Sequence, residues 1–340
     1  MANIAPVPNQ APRVVDMENT QPYQNNHQEI KKLSLPPSLL AGDMVYSPYQ
    51  WSIKEKISFS GVGLHSGNIA HVTLEPAPHG SGIKFYRTDI KKNQNPVIPA
   101  VFSNVVSAKY STCLANQDDI RVNTVEHLLA ALFAFGIDNL LIKIDNNEVP
   151  ILDGSALPFL KWLEKAGIAM QKNGAPYRRT YLEVIKTITI KEKNMTASLS
   201  PADFLDIDCN IDYPNQFIGK MALKNLVSRD YFFQDIAAAR TFCMEEEVDM
   251  LRADGLGLGG SFDNVIIVKT DGHGTLNPDD LRFPDEFVRH KFLDIIGDLA
   301  LSPYRIIGKY QSNHGGHLLN NRMLQKLFSD KSHYRLVILD

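Results

Sequence analysis

Three segments carry residue types that could hold a cation or move a proton. The first, Asn123-Thr-Val-Glu126-His127, opens a helical pattern in which Val125, Leu128, Leu129 and Leu132 recur at i, i+3, i+4 and i+7. Glu126 and His127 flank that apolar stripe in the first turn, where the positive end of the helix dipole favours a carboxylate. Two readings fit. Either an acid and an imidazole stand together at a site, or Asn123 caps the helix, Glu126 closes a capping box and His127 faces solvent.

In the second segment, Asp285 to Leu299, His290, Asp294 and Asp298 follow one another at intervals of four, each roughly 40° further round a helix. Val288, Phe292, Leu293, Ile295, Ile296 and Leu299 cover the opposite arc. An imidazole and a carboxylate one turn apart can point at a common ion, with Asp298 one turn behind them. The alternative is a solvated polar face. The third segment, His314-Gly315-Gly316-His317, uses two glycines to turn the chain tightly and aim His317 at a helix start, although a surface histidine capping that helix fits as well. His27, His65, His71, His79, His273 and His333 have no comparable company and read as structural or surface residues.

The elements that must position these groups belong to a chain of 340 residues, long enough for two domains. Lys and Arg total 35 against 38 Asp and Glu, a net charge of −3, which lacks the basic excess a duplex-binding protein uses. Cys113, Cys209 and Cys243 show no C-x-x-C spacing, so neither a disulfide framework nor a cysteine zinc site is expected, and a reducing compartment is. No run approaches the length of a membrane helix, and the N-terminus lacks the features of a signal or transit peptide. A cytoplasmic protein is expected.

Residues 1–48 differ from the rest. Seven of the 19 prolines fall there with a single glycine, a composition that predicts a disordered extension, with Leu33, Leu35, Leu39 and Leu40 as the apolar exception and a candidate docking segment. From Tyr49 onward, strand patterns (Ile69 to Leu74, Leu140 to Ile144, Tyr181 to Ile190, Thr196 to Leu199, Leu205 to Ile211, Asn264 to Val268) mix with helical ones (Thr124 to Phe135, Phe159 to Ala166, Glu245 to Arg252, Asp285 to Leu301, Leu318 to Phe328). Without regular βαβ alternation this argues an α+β fold. The turn-rich stretch Gln171 to Arg179 predicts a boundary between domains at 49–172 and 180–340. Val72 to Ala77 and Ala197 to Ala202 are faintly alike, a hint of related halves.

Gly255, Gly257 and Gly260 satisfy G-x-G-x-x-G, but a helix precedes them and a strand follows, the reverse of the dinucleotide-binding order. P-loop, H-E-x-x-H and G-x-S-x-G motifs are absent from the sequence.

GVGLHSG (61–67), NTVEHLLAAL (123–132), IDNLLIKI followed by EVPILDGSALPF (137–159), ARTF (239–242), GLGLGGSFDNVIIV (255–268), LRFPDEFVRHKFLDIIGDL (281–299) and GGHLLNNRML (315–324) together resemble the zinc-dependent UDP-3-O-acyl-N-acetylglucosamine deacetylase family of lipid A biosynthesis. The resemblance runs in order from about Trp51 to the end of the chain. It implies two α+β domains of similar topology with the active site between them. It also implies one Zn²⁺ per chain on His127, His290 and Asp294, three ligands that leave a position open as catalytic zinc requires.

By the same resemblance Glu126 is the general base, His317 the protonated histidine at the oxyanion or leaving amine, and Thr241 a hydroxyl polarising the carbonyl. Asp298 orients His317, and Lys291 lines the site. Phe242 belongs to an inserted βαβ element, residues 242–268, that forms a hydrophobic passage for an acyl chain. The implied substrate is UDP-3-O-acyl-N-acetylglucosamine, the products are the free amine and acetate, and the chain is expected to be a monomer.

Two positions depart from the family pattern. Ser111 stands where several members carry a cysteine near the metal. His314 replaces a Lys or Arg that can meet the diphosphate, which puts that contact in question. A zinc amidohydrolase acting on a different acetamido nucleotide-sugar is the alternative reading. A non-enzymatic nucleotide-sugar sensor would be expected to have lost Glu126 or a ligand, and the chain keeps both.

Overall fold

Strict alternation in Ile69–Pro76 turns Ala70, Val72 and Leu74 inward and leaves Ile69 and His71 exposed, the pattern of a strand with one buried face. In the computed structural model, which describes residues 31–33 and 43–340, this strand pairs antiparallel with Ile57–Val62 and with Leu140–Ile144. Leu140–Ile144 then runs parallel to Ile83–Arg87, and Val97–Pro99 completes a five-stranded sheet.

The second sheet has eight strands. Its path runs from Lys31–Leu33 through Tyr334–Leu339, Thr180–Val184, Arg305–Asn313 and Met195–Ser200 to Ile188–Glu192. Leu205–Asp212 also pairs parallel with Arg305–Asn313 and carries the meander strand Lys220–Leu226 on its other edge. The predicted strand Tyr181 to Ile190 is in fact two, broken at the turn between Val184 and Ile188.

Five helices matter for the site: α1 (Glu126–Ala134), α2 (Leu157–Ala166), α3 (Glu245–Ala253), α4 (Glu286–Leu299) and α5 (His317–Phe328). α2 packs on the first sheet and against α1, while α4 and α5 pack on the second. α1 meets α4 in the most extensive helix–helix contact, so the apolar faces of both sheets converge on a helical middle layer. The fold is α+β. The first sheet lies wholly within residues 49–172, and the second takes every strand but Lys31–Leu33 from residues 180–340.

The expected disorder through residue 48 is corrected where the chain is described. Lys31–Leu33 runs parallel to Val337–Leu339 at the sheet edge. Met44, Val45 and Tyr46 form a buried 3₁₀ turn capped by the Asp43 carboxylate. Burial of three large side chains, about 1.5–3 kcal/mol each, offsets the ordering entropy that composition alone weighed against this segment. Arg179 donates to the carbonyls of Met44, Val45 and Gly136 and to Asp138, and the Tyr46 hydroxyl donates to Val227. The stretch from Gln171 to Arg179 ends in a buried ionic anchor, Arg179, that reaches the turn before the first sheet and the Gly136 to Asp138 segment within that sheet's sequence. Leu35, Leu39 and Leu40 lie outside the described residues.

Candidate active site

α1 starts differently from the capping-box expectation. Its N-cap is Val125, with no side-chain cap, and the Asn123 side chain donates away to Asn147. Thr124 is held in the left-handed region at φ 56°, a strained conformation for a β-branched residue, with its hydroxyl donating to Glu148. That turn frees the Glu126 carboxylate, which accepts the Thr112 amide through Oε2 at 3.0 Å and leaves Oε1 facing inward. Glu126 and His127 are both buried.

The polar stripe of α4 is no solvated face either: His290, Asp294 and Asp298 are 1%, 3% and 2% exposed. His127 Nε2 and His290 Nε2 lie 3.6 and 3.5 Å from Asp294 Oδ1, and the two imidazoles meet edge to face at 4.9 Å. One ligand atom from each of the three residues falls within 4.8 Å of the others. Ala239 accepts from His290 Nδ1 at 3.0 Å, which fixes the tautomer with the Nε2 lone pair toward Asp294. That carbonyl is positioned by its neighbour Arg240, whose main-chain amide and guanidinium both bond the buried Glu286 at the head of α4.

The electrostatics suit a cation. Burial pushes the His290 pKa down to about 3 against the pull of Asp294, so the ring is a neutral donor. Burial also works against charge on Asp294, yet its neighbours, the charged Lys291 and His317 among them, hold it well below the usual carboxylate range. Asp294 Oδ2 accepts from Lys291 Nζ at 3.1 Å, while Oδ1 is buried with no hydrogen-bond partner among the described residues. An ionised oxygen left without a hydrogen-bond partner among the described residues, between two imidazole nitrogens, costs free energy unless something positive binds there. Two nitrogens and one oxygen are a donor set Zn²⁺ accepts, so the residues fit the ion that the sequence implied. His127 Nδ1 is also without a partner among the described residues, which give this ring no outer hydrogen bond like the one that fixes His290.

His317, at the first position of α5, reaches the same place. Its Nε2 stands 3.8 Å from Glu126 Oε1 and 4.0 Å from Asp294 Oδ2, and its Nδ1 donates to Asp298 Oδ2 at 2.8 Å. Burial pushes its pKa down, but Asp298, then Asp294 and Glu126, outweigh it and raise the value to about 10. Burial raises the Glu126 pKa, opposed by His317 and His127. The buried Glu126 carboxyl and the buried His317 ring thus stand side by side next to the three donors.

Phe242 adjoins the site, edge-on to Phe287 at 4.9 Å and to His290 at 6.3 Å, with Lys291 Nζ 5.3 Å over its ring. Phe242–Met244 pairs parallel with Ile266–Val268 across α3, which is the expected βαβ element. Thr241 is placed by its main chain, bonded to Gly154 and Ile266, and no described residue hydrogen bonds its hydroxyl. His314 turns at φ 56° with its amide on the Asn210 carbonyl, and its side chain makes no hydrogen bond or ion pair among the described residues. Seven of the expected residues come together and Phe242 flanks them; Thr241 and His314 are nearby in sequence but not joined to the cluster. Sequence reasoning left Thr112, Asn320 and the Ala239 carbonyl unmarked, because only the folded chain shows that they bond Glu126, Asp298 and His290.

The sequence model of the UDP-3-O-acyl N-acetylglycosamine deacetylase family, LpxC, matches residues 50–329. The chain belongs to this family. It is 44% identical over 290 residues to a protein of Myxococcus xanthus, a match covering 85% of this chain and 89% of that one. It is 42% identical over 291 residues to a protein of Histophilus somni and 40% identical over 291 residues to one of Shewanella violacea, each covering 85% of this chain and 92% of the relative. All three relatives are named UDP-3-O-acyl-N-acetylglucosamine deacetylase. Lys31–Leu33 and the Met44–Tyr46 turn lie before the matched LpxC range. No helix among the described residues is long and apolar enough to cross a membrane.

Proposed function

We propose that this LpxC family member hydrolyses the 2-acetamido group of UDP-3-O-acyl-N-acetylglucosamine, giving the free amine and acetate, with one Zn²⁺ on His127, His290 and Asp294. The observation that carries the reading is the buried Glu126 and His317 pair, 3.8 Å apart, beside the unpartnered Asp294 Oδ1. Zn²⁺ would supply Lewis acidity to the amide carbonyl and to water.

The protein's own groups account for the proton movements. Glu126 Oε1 accepts a proton from the attacking water as its oxygen bonds to the acetyl carbon. His317, charged at neutral pH, stabilises the developing oxyanion and then gives its Nε2 proton to the nitrogen as the C–N bond breaks. Asp298 holds the opposite ring nitrogen throughout and favours the imidazolium. Lys291 offsets the charge of Asp294, and Thr241 is the hydroxyl proposed for the carbonyl oxygen. Residues 242–268, with Phe242 at the mouth, serve as the acyl passage, and His314 meets the diphosphate. We take residues 49–172 and 180–340 as two domains, and the enzyme as a monomer acting in the cytoplasm on lipid A precursors.

The test is turnover of the acylated UDP-sugar beside its non-acylated analogue, by metal-free protein and by protein given one equivalent of Zn²⁺. Metal-dependent acetate release that prefers the acylated substrate supports the reading. Equal turnover of both points to the broader acetamido-sugar hydrolase, and no release from either rejects it.

A further inference from the structure

Thr112 spends all three of its polar groups at the active site. It is 2% exposed and lies just before Cys113–Ala115, a strand paired on both sides that fixes its backbone. Its carbonyl accepts the amide of Val125, the N-cap of α1, at 3.4 Å. Its own amide donates to Glu126 Oε2, and its hydroxyl donates to Asp298 Oδ1 at 2.6 Å, a partner 186 residues away on α4.

The choice of oxygens carries the argument. Thr112 takes the outer oxygen of each carboxylate, and the inner oxygens then face the two nitrogens of one imidazole. Glu126 Oε1 stands at His317 Nε2, and Asp298 Oδ2 at His317 Nδ1. Asn320 Nδ2 donates to the same Asp298 Oδ2 at 2.8 Å, held in turn by the Tyr310 hydroxyl on its Oδ1 at 2.6 Å. A carboxylate gripped on both oxygens cannot rotate, so His317 meets it in one orientation. We infer that Thr112 is a positioning residue that sets the proposed base and acid in register, its amide aligning Glu126 and its hydroxyl aligning Asp298 behind His317. Neither contact touches substrate. The inference rests on the deacetylase reading for its kinetic consequence but not for its geometric one.

The experiment compares T112V and T112A, which lose the hydroxyl and keep the amide, with T112S, which keeps both. All are measured as zinc-loaded full-length protein. The expected result is a fall in kcat of about tenfold or more for T112V and T112A, the scale of one hydrogen bond to a charged group, with KM and zinc stoichiometry near wild type and T112S retaining most of the rate. The second readout is the His317 Nδ1 proton resonance, identified by its absence from H317A, which should move in T112V and T112A and stay in place in T112S. If T112V fails to fold because its methyl crowds Asp298, T112A carries the test. A rate within twofold of wild type with an unmoved resonance in T112A, or a T112S rate as low as that of T112A, overturns the inference. Should wild-type protein itself fail to release acetate, the deacetylase reading falls, while the resonance still reports whether Thr112 orients Asp298 against His317.

Discussion

Gly297 of α4 lies directly beneath Glu126 of α1: a Cβ at 297 would overlap the Glu126 carbonyl oxygen and stand 2.7 Å from its carbonyl carbon. The obstruction is main chain, so it cannot swing aside as a side chain would. Glycine here is what lets the helix bearing His290 and Asp294 approach the helix bearing Glu126 and His127. Gly297→Ala should destabilise the fold by about 1–3 kcal/mol or more and weaken Zn²⁺ binding by prising the two helices apart. Denaturant unfolding and metal titration check this. Wild-type values in both would mean that the crossing has slack the structure does not show.

Metal removal should abolish acetate release, and one equivalent of Zn²⁺ should restore it. His290→Ala deletes a ring whose tautomer is fixed by Ala239, so it should lose tight binding altogether. His127 has no such outer hydrogen bond among the described residues, so His127→Ala should also lose the ion, but His127→Gln should be the milder of the two histidine-to-glutamine changes. Retention of one tightly held Zn²⁺ by His290→Ala, measured by equilibrium dialysis, would remove the ligand assignment.

Glu126→Gln keeps an acceptor for the Thr112 amide but cannot take a proton, and His317→Ala removes the proposed acid. Each should lower kcat about 10²–10⁴-fold while the protein still binds Zn²⁺. If His317→Ala keeps most of its rate, the leaving-group proton comes from another donor, and Lys291 becomes the residue to examine.

The pH profile follows from His317. Its pKa is raised to about 10 without metal, and Zn²⁺ beside Asp294 and Glu126 offsets part of their pull. The basic limb of kcat/KM should therefore fall between about 6.5 and 10, above an ordinary histidine. A raised folded-state pKa contributes stability that is complete below the unfolded value and lost as pH climbs through the folded one. The metal-free protein should thus weaken between about pH 6.5 and 10, and His317→Ala should flatten that slope. An unchanged slope in the variant would show that the imidazolium is not the group responsible.

Deleting residues 1–42 removes, among the described residues, only Lys31–Leu33 at a sheet edge. Deleting 1–48 also removes Met44, Val45 and Tyr46 and leaves Arg179 without two of its carbonyl partners. That second step should cost on the order of 2–4 kcal/mol beyond the first. Equal unfolding midpoints for the two truncations would show that the turn adds nothing.

The site was legible where spacing along one helix was enough. His290, Asp294 and Asp298 share a face whatever surrounds them, and the apolar arc opposite says which way the core lies. Whether that face met water or another helix was not, because the answer lies in α1 and α5, supplied by residues far away in the chain. The capping box shows the limit most clearly. Asn123 and Glu126 have the right types at the right interval, and a positive φ at Thr124 sends both elsewhere. The strands Arg305–Asn313 and Lys220–Leu226 were missed for a related reason: charged and polar residues interrupt their alternation, and pairing with Leu205–Asp212 outweighs local preference. Composition weighed residues 1–48 as one block, whereas three apolar residues with a buried seat outweigh the average around them.

The edge pairing of Lys31 with Val337 has a kinetic side. The eight-stranded sheet takes its members from residues 31–33, 180–226, 305–313 and 334–339, and Thr180–Val184 sits between two strands that follow it by more than a hundred residues. Such contacts form only after long loops close, so their entropy must be spent before any of their bonding is returned. The five-stranded sheet, with its members between residues 57 and 144, closes only shorter loops. The first sheet and α1 should therefore be the early structure on the folding path, and Glu126 and His127 should be in place before the helix that brings His290 and Asp294 has a sheet to rest on.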